Sequence, residues 1–116
     1  MSDGSATLVP GDERPSWDGL DLSVDVEGPY LVVALRGEID ASNVAALPTV
    51  VAGATNGDDA VRLDIAEVTF LDSSLLRAIL ACEAMLATTG VEFKVRRATE
   101  QARRIFEITS LAYLLE

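Results

Sequence analysis

From Leu20 the chain alternates: Leu20, Leu22, Val24 and Val26 share one side, and Asp21, Ser23 and Asp25 share the other. A period of two sets one face on a core and the other in water, which predicts a half-buried strand. Glu27-Gly28-Pro29 is a turn, and residues 30–35 are nearly continuous apolar, the pattern of a strand covered on both faces. Together the two runs predict an antiparallel hairpin. Val44, Leu47, Val51 and Ala54 then recur at helical spacing, with Asp40 or Ser42 as the N-cap. Pro48 conflicts with one unbroken helix, because an interior proline removes a backbone bond and clashes with the preceding turn. It predicts either a kink or a later start with Pro48 in the first turn.

Val61, Leu63 and Ile65 alternate with Arg62 and Asp64, a third strand. A helix between two strands makes a crossover, so this strand should run parallel to its neighbour. Thr69-Phe70-Leu71-Asp72 leads into a long helix over residues 73–87, striped by Leu75, Ile79, Cys82 and Leu86 with Leu76 and Leu80 beside them. Gly90 suits a left-handed cap. Val91, Phe93 and Val95 alternate with Glu92, Lys94 and Arg96, a fourth strand; Thr99 can cap a last helix over residues 100–108. Residues 111–115 read as an edge strand or a helical turn. Residues 1–19 hold Gly4, Pro10, Gly11, Pro15 and Gly19 and no periodicity, which predicts a flexible acidic tail ahead of a domain at 20–116. The order predicts an α/β domain, with a mixed sheet of four to five strands packed by three to four α-helices.

Charge and composition narrow the function. The chain has 116 residues, 49% of them hydrophobic, enough for one domain with a core. Its net charge is -10, concentrated before residue 61; after it, seven basic residues nearly balance eight acids. Such a surface repels phosphates, so neither nucleic acid nor membrane insertion is expected. No secretory start and no membrane-length apolar run stand out, and Cys82 is the sole cysteine, so a reducing cytoplasm is expected. With no histidine the chain lacks the base of a Ser-His-Asp triad and the usual zinc ligands, and it has no phosphate-binding glycine loop. A binding protein is expected rather than an enzyme. Lys94, Arg96, Arg97, Arg103 and Arg104 form a loose basic group, read first as a solvated edge and otherwise as a docking patch for an acidic partner. Asp40 and Asp64 suit a helix cap and a loop hydrogen bond better than an acid–base pair.

Residues 61–80 carry the informative motif. Asp72, Ser73 and Ser74 stand where a loop enters a helix, among free N–H groups and the positive end of the helix dipole. Capping alone accounts for Asp72 or Ser73. A phosphoryl group on Ser73 would instead add nearly two negative charges there, tolerated by the fold and repellent to a docked partner.

Three motifs in order resemble the STAS family of bacterial anti-sigma factor antagonists. Leu35-Arg36-Gly37-Glu38-Ile39-Asp40 is similar to the end of its second strand. Leu63-Asp64-Ile65 with Val68-Thr69-Phe70-Leu71-Asp72-Ser73-Ser74 resembles its signature loop, and residues 103–111 resemble its last helix. The resemblance implies a STAS-like fold and partner switching. The unmodified antagonist binds an anti-sigma factor that is also a serine kinase, and phosphorylation of Ser73 (less so Ser74) releases it. ATP and Mg²⁺ would belong to that kinase, so no cofactor is implied here; a phosphatase would reset the switch, and the chain would be a monomer or weak dimer. The implied contact surface is Gly37, Glu38, Asp40, Ser42, Asp72, Ser73, Ser74, Leu75, Leu76 and Arg77. Apolar residues of the long helix left outside the core would widen it. Two positions depart from the family: Leu75 and Ser110 stand where it has glycines. A rival from another class is an unphosphorylated STAS subunit of a lipid-transport ATP-binding cassette complex.

Overall fold

A computed structural model of the chain describes residues 20–39, 41–55 and 60–116. The expected tail at 1–19 and Asp40 lie outside the described residues, as do the side chains of Glu38 and Ser42. The elements run β1 (Leu20–Glu27), β2 (Tyr30–Glu38), α1 (Ala41–Val44), α2 (Leu47–Ala54), β3 (Ala60–Phe70), α3 (Ser73–Ala87), β4 (Glu92–Arg96) and α4 (Glu100–Ile108), then a 3₁₀ turn at Ala112–Leu114. The sheet has the order β1-β2-β3-β4; β1 is antiparallel to β2, and β3 is parallel to both its neighbours. This is the mixed α/β architecture that the periodicities predict.

The hairpin closes at Gly28, whose φ of 62° is the positive dihedral that a two-residue turn requires at its first position. Leu22, Val24, Leu31, Val33, Leu35, Val61, Leu63, Ile65, Phe93 and Val95 all enter one core cluster with the inward residues of the helices. Phe106, Leu75, Ile79 and Leu86 are fully buried there, each stabilising the fold by about 1.5–3 kcal/mol. Val26 shares the inward side of β1 yet is 57% exposed, because it lies at the hairpin end of an edge strand. Pro48 resolves as a restart: α1 ends at Val44, and α2 begins at Leu47 with Pro48 in its first turn, where no N–H is needed.

The opposite face of the sheet is covered by charge rather than by helices. Arg62 is 6% exposed. Its guanidinium lies 4.4 Å from the Tyr30 ring centroid and donates to Glu92 and Glu116, both at 2.9 Å. Arg96 donates to Glu116 at 2.8 Å and to Glu27 at 3.0 Å. Val32, beside Arg62 in the register, is shielded this way, so β2 is covered on both faces without a second helical layer. Of the two expectations for residues 111–115, the helical turn is the one met, and no fifth strand forms among the described residues. The 3₁₀ turn is followed by a parallel bridge from Leu115 to Val95, and Glu116 N–H donates to Val95 O at 2.8 Å.

β3 runs five residues past Ile65, through two register shifts against β2. Asp64 belongs to this strand and not to a loop. Its carboxylate accepts the Ala66 N–H at 3.0 Å, beside the first shift, and pairs with the Arg97 guanidinium at 2.9 Å. Both long helices close with the same hydrogen-bond pair. Val91 N–H donates to Leu86 O and Gly90 N–H to Ala87 O after α3; Leu111 N–H donates to Phe106 O and Ser110 N–H to Glu107 O after α4. Gly90 supplies the left-handed residue at φ 76°, and Ser110 takes the same role at φ 64°.

Candidate functional site

β3 delivers the chain to the start of α3. Asp72 is extended, at φ -128° and ψ -175°, and its Oδ1 accepts the N–H groups of Ser74 at 2.9 Å and Leu75 at 3.3 Å. Its backbone oxygen accepts the first helical bond, from Leu76 N–H. Asp72 is therefore the cap, worth about 1 kcal/mol. That frees Ser73 from capping: it is the first helical residue, exposed, and its hydroxyl has no hydrogen-bond partner among the described residues.

With Ser73 first in the helix, a 3.6-residue period turns Leu75, Ala78, Ile79, Cys82 and Leu86 inward. Leu75 is 0% exposed, which removes its side chain from the expected contact surface. Where the resemblance implies a glycine, this chain has a core residue, and the helix registers on it. Leu76 and Ser74 are half-buried and Arg77 is exposed. The apolar surface expected beside Ser73 is correspondingly small. Leu80, 38% exposed, stands nearly two turns further along.

The sheet register brings the other expected residues to the same end of the molecule. Gly37, at φ 104°, pairs with Val68, and Glu38 pairs with Phe70, two residues before Asp72. Sequence reasoning missed the other wall. Ser74 and Arg77 line an open groove of about 420 Å³ with Val44, Ala45 and Pro48 from the α1–α2 segment and Ala78 and Ala81 from α3. The available signal was the stripe of small residues Ser74, Ala78 and Ala81 at helical spacing.

The basic group does not form one patch. Lys94 Nζ donates to Tyr113 O at 2.6 Å, Arg96 belongs to the Glu27–Glu116 network and Arg97 holds Asp64. Arg103 and Arg104 are exposed on α4. Cys82 is fully buried, and burial pushes its thiol up to about 12, so at neutral pH it is a packed apolar group. Among the described residues no cluster of acidic or cysteine side chains could hold a metal ion, and no helix is long and apolar enough to cross a membrane.

A family model described as Mlab, STAS domain matches residues 22–116. The chain belongs to the STAS-domain family. The solved structures agree with the fold of this STAS domain. An anti-sigma factor antagonist from Mycobacterium paratuberculosis aligns with 25% identity and a TM-score of 0.72, over 86% of each chain. The anti-sigma factor antagonist SpoIIAA in its unphosphorylated form aligns with 16% identity and a TM-score of 0.71, over 83% of this chain and 86% of that one. The Bacillus cell fate determinant SpoIIAA in its phosphorylated form gives 18% identity and a TM-score of 0.64, over 83% and 89%. No curated protein sequence matches the chain significantly.

Proposed function

We propose that this STAS domain is a cytoplasmic anti-sigma factor antagonist that works by partner switching. With Ser73 unmodified it binds an anti-sigma factor that is also a serine kinase; phosphorylation of Ser73 releases it. One observation carries the reading: the Ser73 hydroxyl is exposed and unbonded among the described residues, because Asp72 already caps the helix. Ser74, half-buried behind the cap, is the poorer acceptor. The named antagonists among the structural neighbours support the same reading, as does the solution of one of them in both phosphorylation states.

The chemistry asks little of the antagonist. Ser73 Oγ attacks the γ-phosphorus of ATP held with Mg²⁺ by the kinase. The bond to the ADP oxygen breaks, and the hydroxyl proton passes to a base of the kinase. The product adds nearly two negative charges beside Asp72, and an interface built on a neutral hydroxyl then meets clustered like charge. The partner contact would draw on Gly37, Glu38, Asp40, Ser42, Asp72, Ser73, Ser74, Leu76 and Arg77.

The test is a pull-down from the native cytoplasm with wild type, Ser73→Ala and Ser73→Asp as baits, read by mass spectrometry. A small ATP-binding kinase captured by Ser73→Ala and lost with Ser73→Asp is the expected result. The loss should correspond to roughly 1–3 kcal/mol of binding. Equal capture of the kinase by both variants refutes the switch. A second reading, a structural STAS subunit of a lipid-transport ATP-binding cassette complex, is favoured by Leu75. Its burial fixes the helix start as an ordinary capped terminus. That reading expects a transporter ATPase captured equally by all three baits.

A further inference from the structure

Arg77 is a cation without a local reason. Among the described residues Arg36 pairs with Glu67, Arg62 with Glu92 and Glu116, Arg96 with Glu27 and Glu116, and Arg97 with Asp64. Arg77, like Arg103 and Arg104 on α4, pairs with none among the described residues, and of these three it alone stands beside Ser73. It lies in the second turn of α3, where the helix dipole gives a positive charge no support. Among the described residues it is the only charged one that lines the groove.

Its spacing supplies a reason once Ser73 is modified. Ser73 and Arg77 are four residues apart on one helix, so their Cβ atoms lie about 5–6 Å apart on the same face. Long side chains on a helix lean toward its N-terminus, which carries the Arg77 guanidinium over the first turn. The backbone of the helix start offers a phosphoryl group little, because Asp72 Oδ1 already occupies the Ser74 and Leu75 N–H groups. Asp72 itself repels an added anion. Among the described residues Arg77 is the cationic donor that helix spacing brings within reach.

We propose that Arg77 is the internal receptor of a phosphoryl group on Ser73, bonding it across one helical turn and so leaving the rim of the groove. The inference rests on the reading of Ser73 as the phosphorylation site and adds its mechanism. Modification then acts twice on a docked partner. It brings negative charge to the contact, and it withdraws the groove's cation from any acidic group the partner presents there.

The experiment uses the full chain with phosphoserine placed at 73 by genetic encoding, so it needs no kinase. The second ionisation of the phosphate, near pH 6 in a free phosphoserine, is followed by ³¹P NMR in wild type, Arg77→Gln and Arg77→Lys. The midpoint in wild type is expected about 0.2–0.4 pH unit below that of Arg77→Gln, because the guanidinium favours the dianion. Arg77→Lys should fall between, and ~1 M salt should shrink the gap. Arg77 is exposed and makes no hydrogen bond or ion pair among the described residues, so the unmodified variants should melt within about 1–2 °C of wild type. Equal midpoints in wild type and Arg77→Gln overturn the proposal while leaving the Ser73 switch standing. Equal capture of the kinase by Ser73→Ala and Ser73→Asp would instead remove the switch, whatever the midpoints.

Discussion

Ser110→Gly should make the protein more stable, and Arg97→Gly should make it less so, although both remove a side chain from a left-handed residue. Ser110 sits at φ 64° and Arg97 at φ 59°. A side chain in that region costs roughly 1–2 kcal/mol, and glycine gives back about 0.5–1 kcal/mol through its freer unfolded chain. The cap of α4 uses backbone groups of residue 110 alone, so nothing else is lost there. The net gain is about 0.5–1 kcal/mol, or about 2–5 °C in Tm. Arg97 differs because its guanidinium holds Asp64 at 2.9 Å, with the Asp64 side chain only 9% exposed. Removing it leaves that carboxylate with the Ala66 N–H, at a cost of about 2–3 kcal/mol that outweighs the relieved strain. Thermal and urea unfolding of wild type and both variants at pH 7 measures the two signs. A Ser110→Gly protein no more stable than wild type, or an Arg97→Gly protein stabilised alongside it, would refute the reasoning.

Leu75→Gly installs the residue that the resemblance implies here and should still destabilise by about 4–5 kcal/mol. It empties a fully buried site and adds glycine's helix cost. Urea denaturation checks it, and a loss under about 1 kcal/mol would mean that the site collapses freely. Glu116 should give stability that is lost in acid: hydrogen bonds from Arg96, seconded by Arg62, hold its carboxyl at about 2, against an ordinary 4.5. A depressed carboxyl stabilises fully above its unfolded pKa and loses the contribution as pH falls from about 4.5 to about 2. Because the side chain is 35% exposed, solvent screening reduces the effect to about 1 kcal/mol. The gap in unfolding free energy between wild type and Glu116→Gln should therefore be open at pH 6 and closed near pH 2; a gap independent of pH rejects the network as its source.

Local periodicity determined most of the fold. Alternation at Leu22 and Val24, at Leu63 and Ile65 and at Phe93 and Val95 marks strands because a strand must turn every second side chain to the core. Asp72 before Ser73, Thr99 before α4 and Gly90 after α3 mark helix ends because orphan backbone groups need those residue types. The candidate phosphorylation site was legible for the same reason: it is a property of one short segment. What the sequence left open depends on residues far apart in the chain. Leu75 stands on the predicted apolar stripe and also in the implied contact surface, and only the packing of α3 against the sheet gives it wholly to the core. The groove exists only where the α1–α2 segment meets α3. Arg62, Arg96 and Glu116 read as three separate charges, and only the pairing of β3, β4 and the C-terminal bridge brings them over Tyr30. Hydrophobic pattern encodes which face of an element is buried; which elements meet, and so which charges find partners, is decided by packing the whole chain at once.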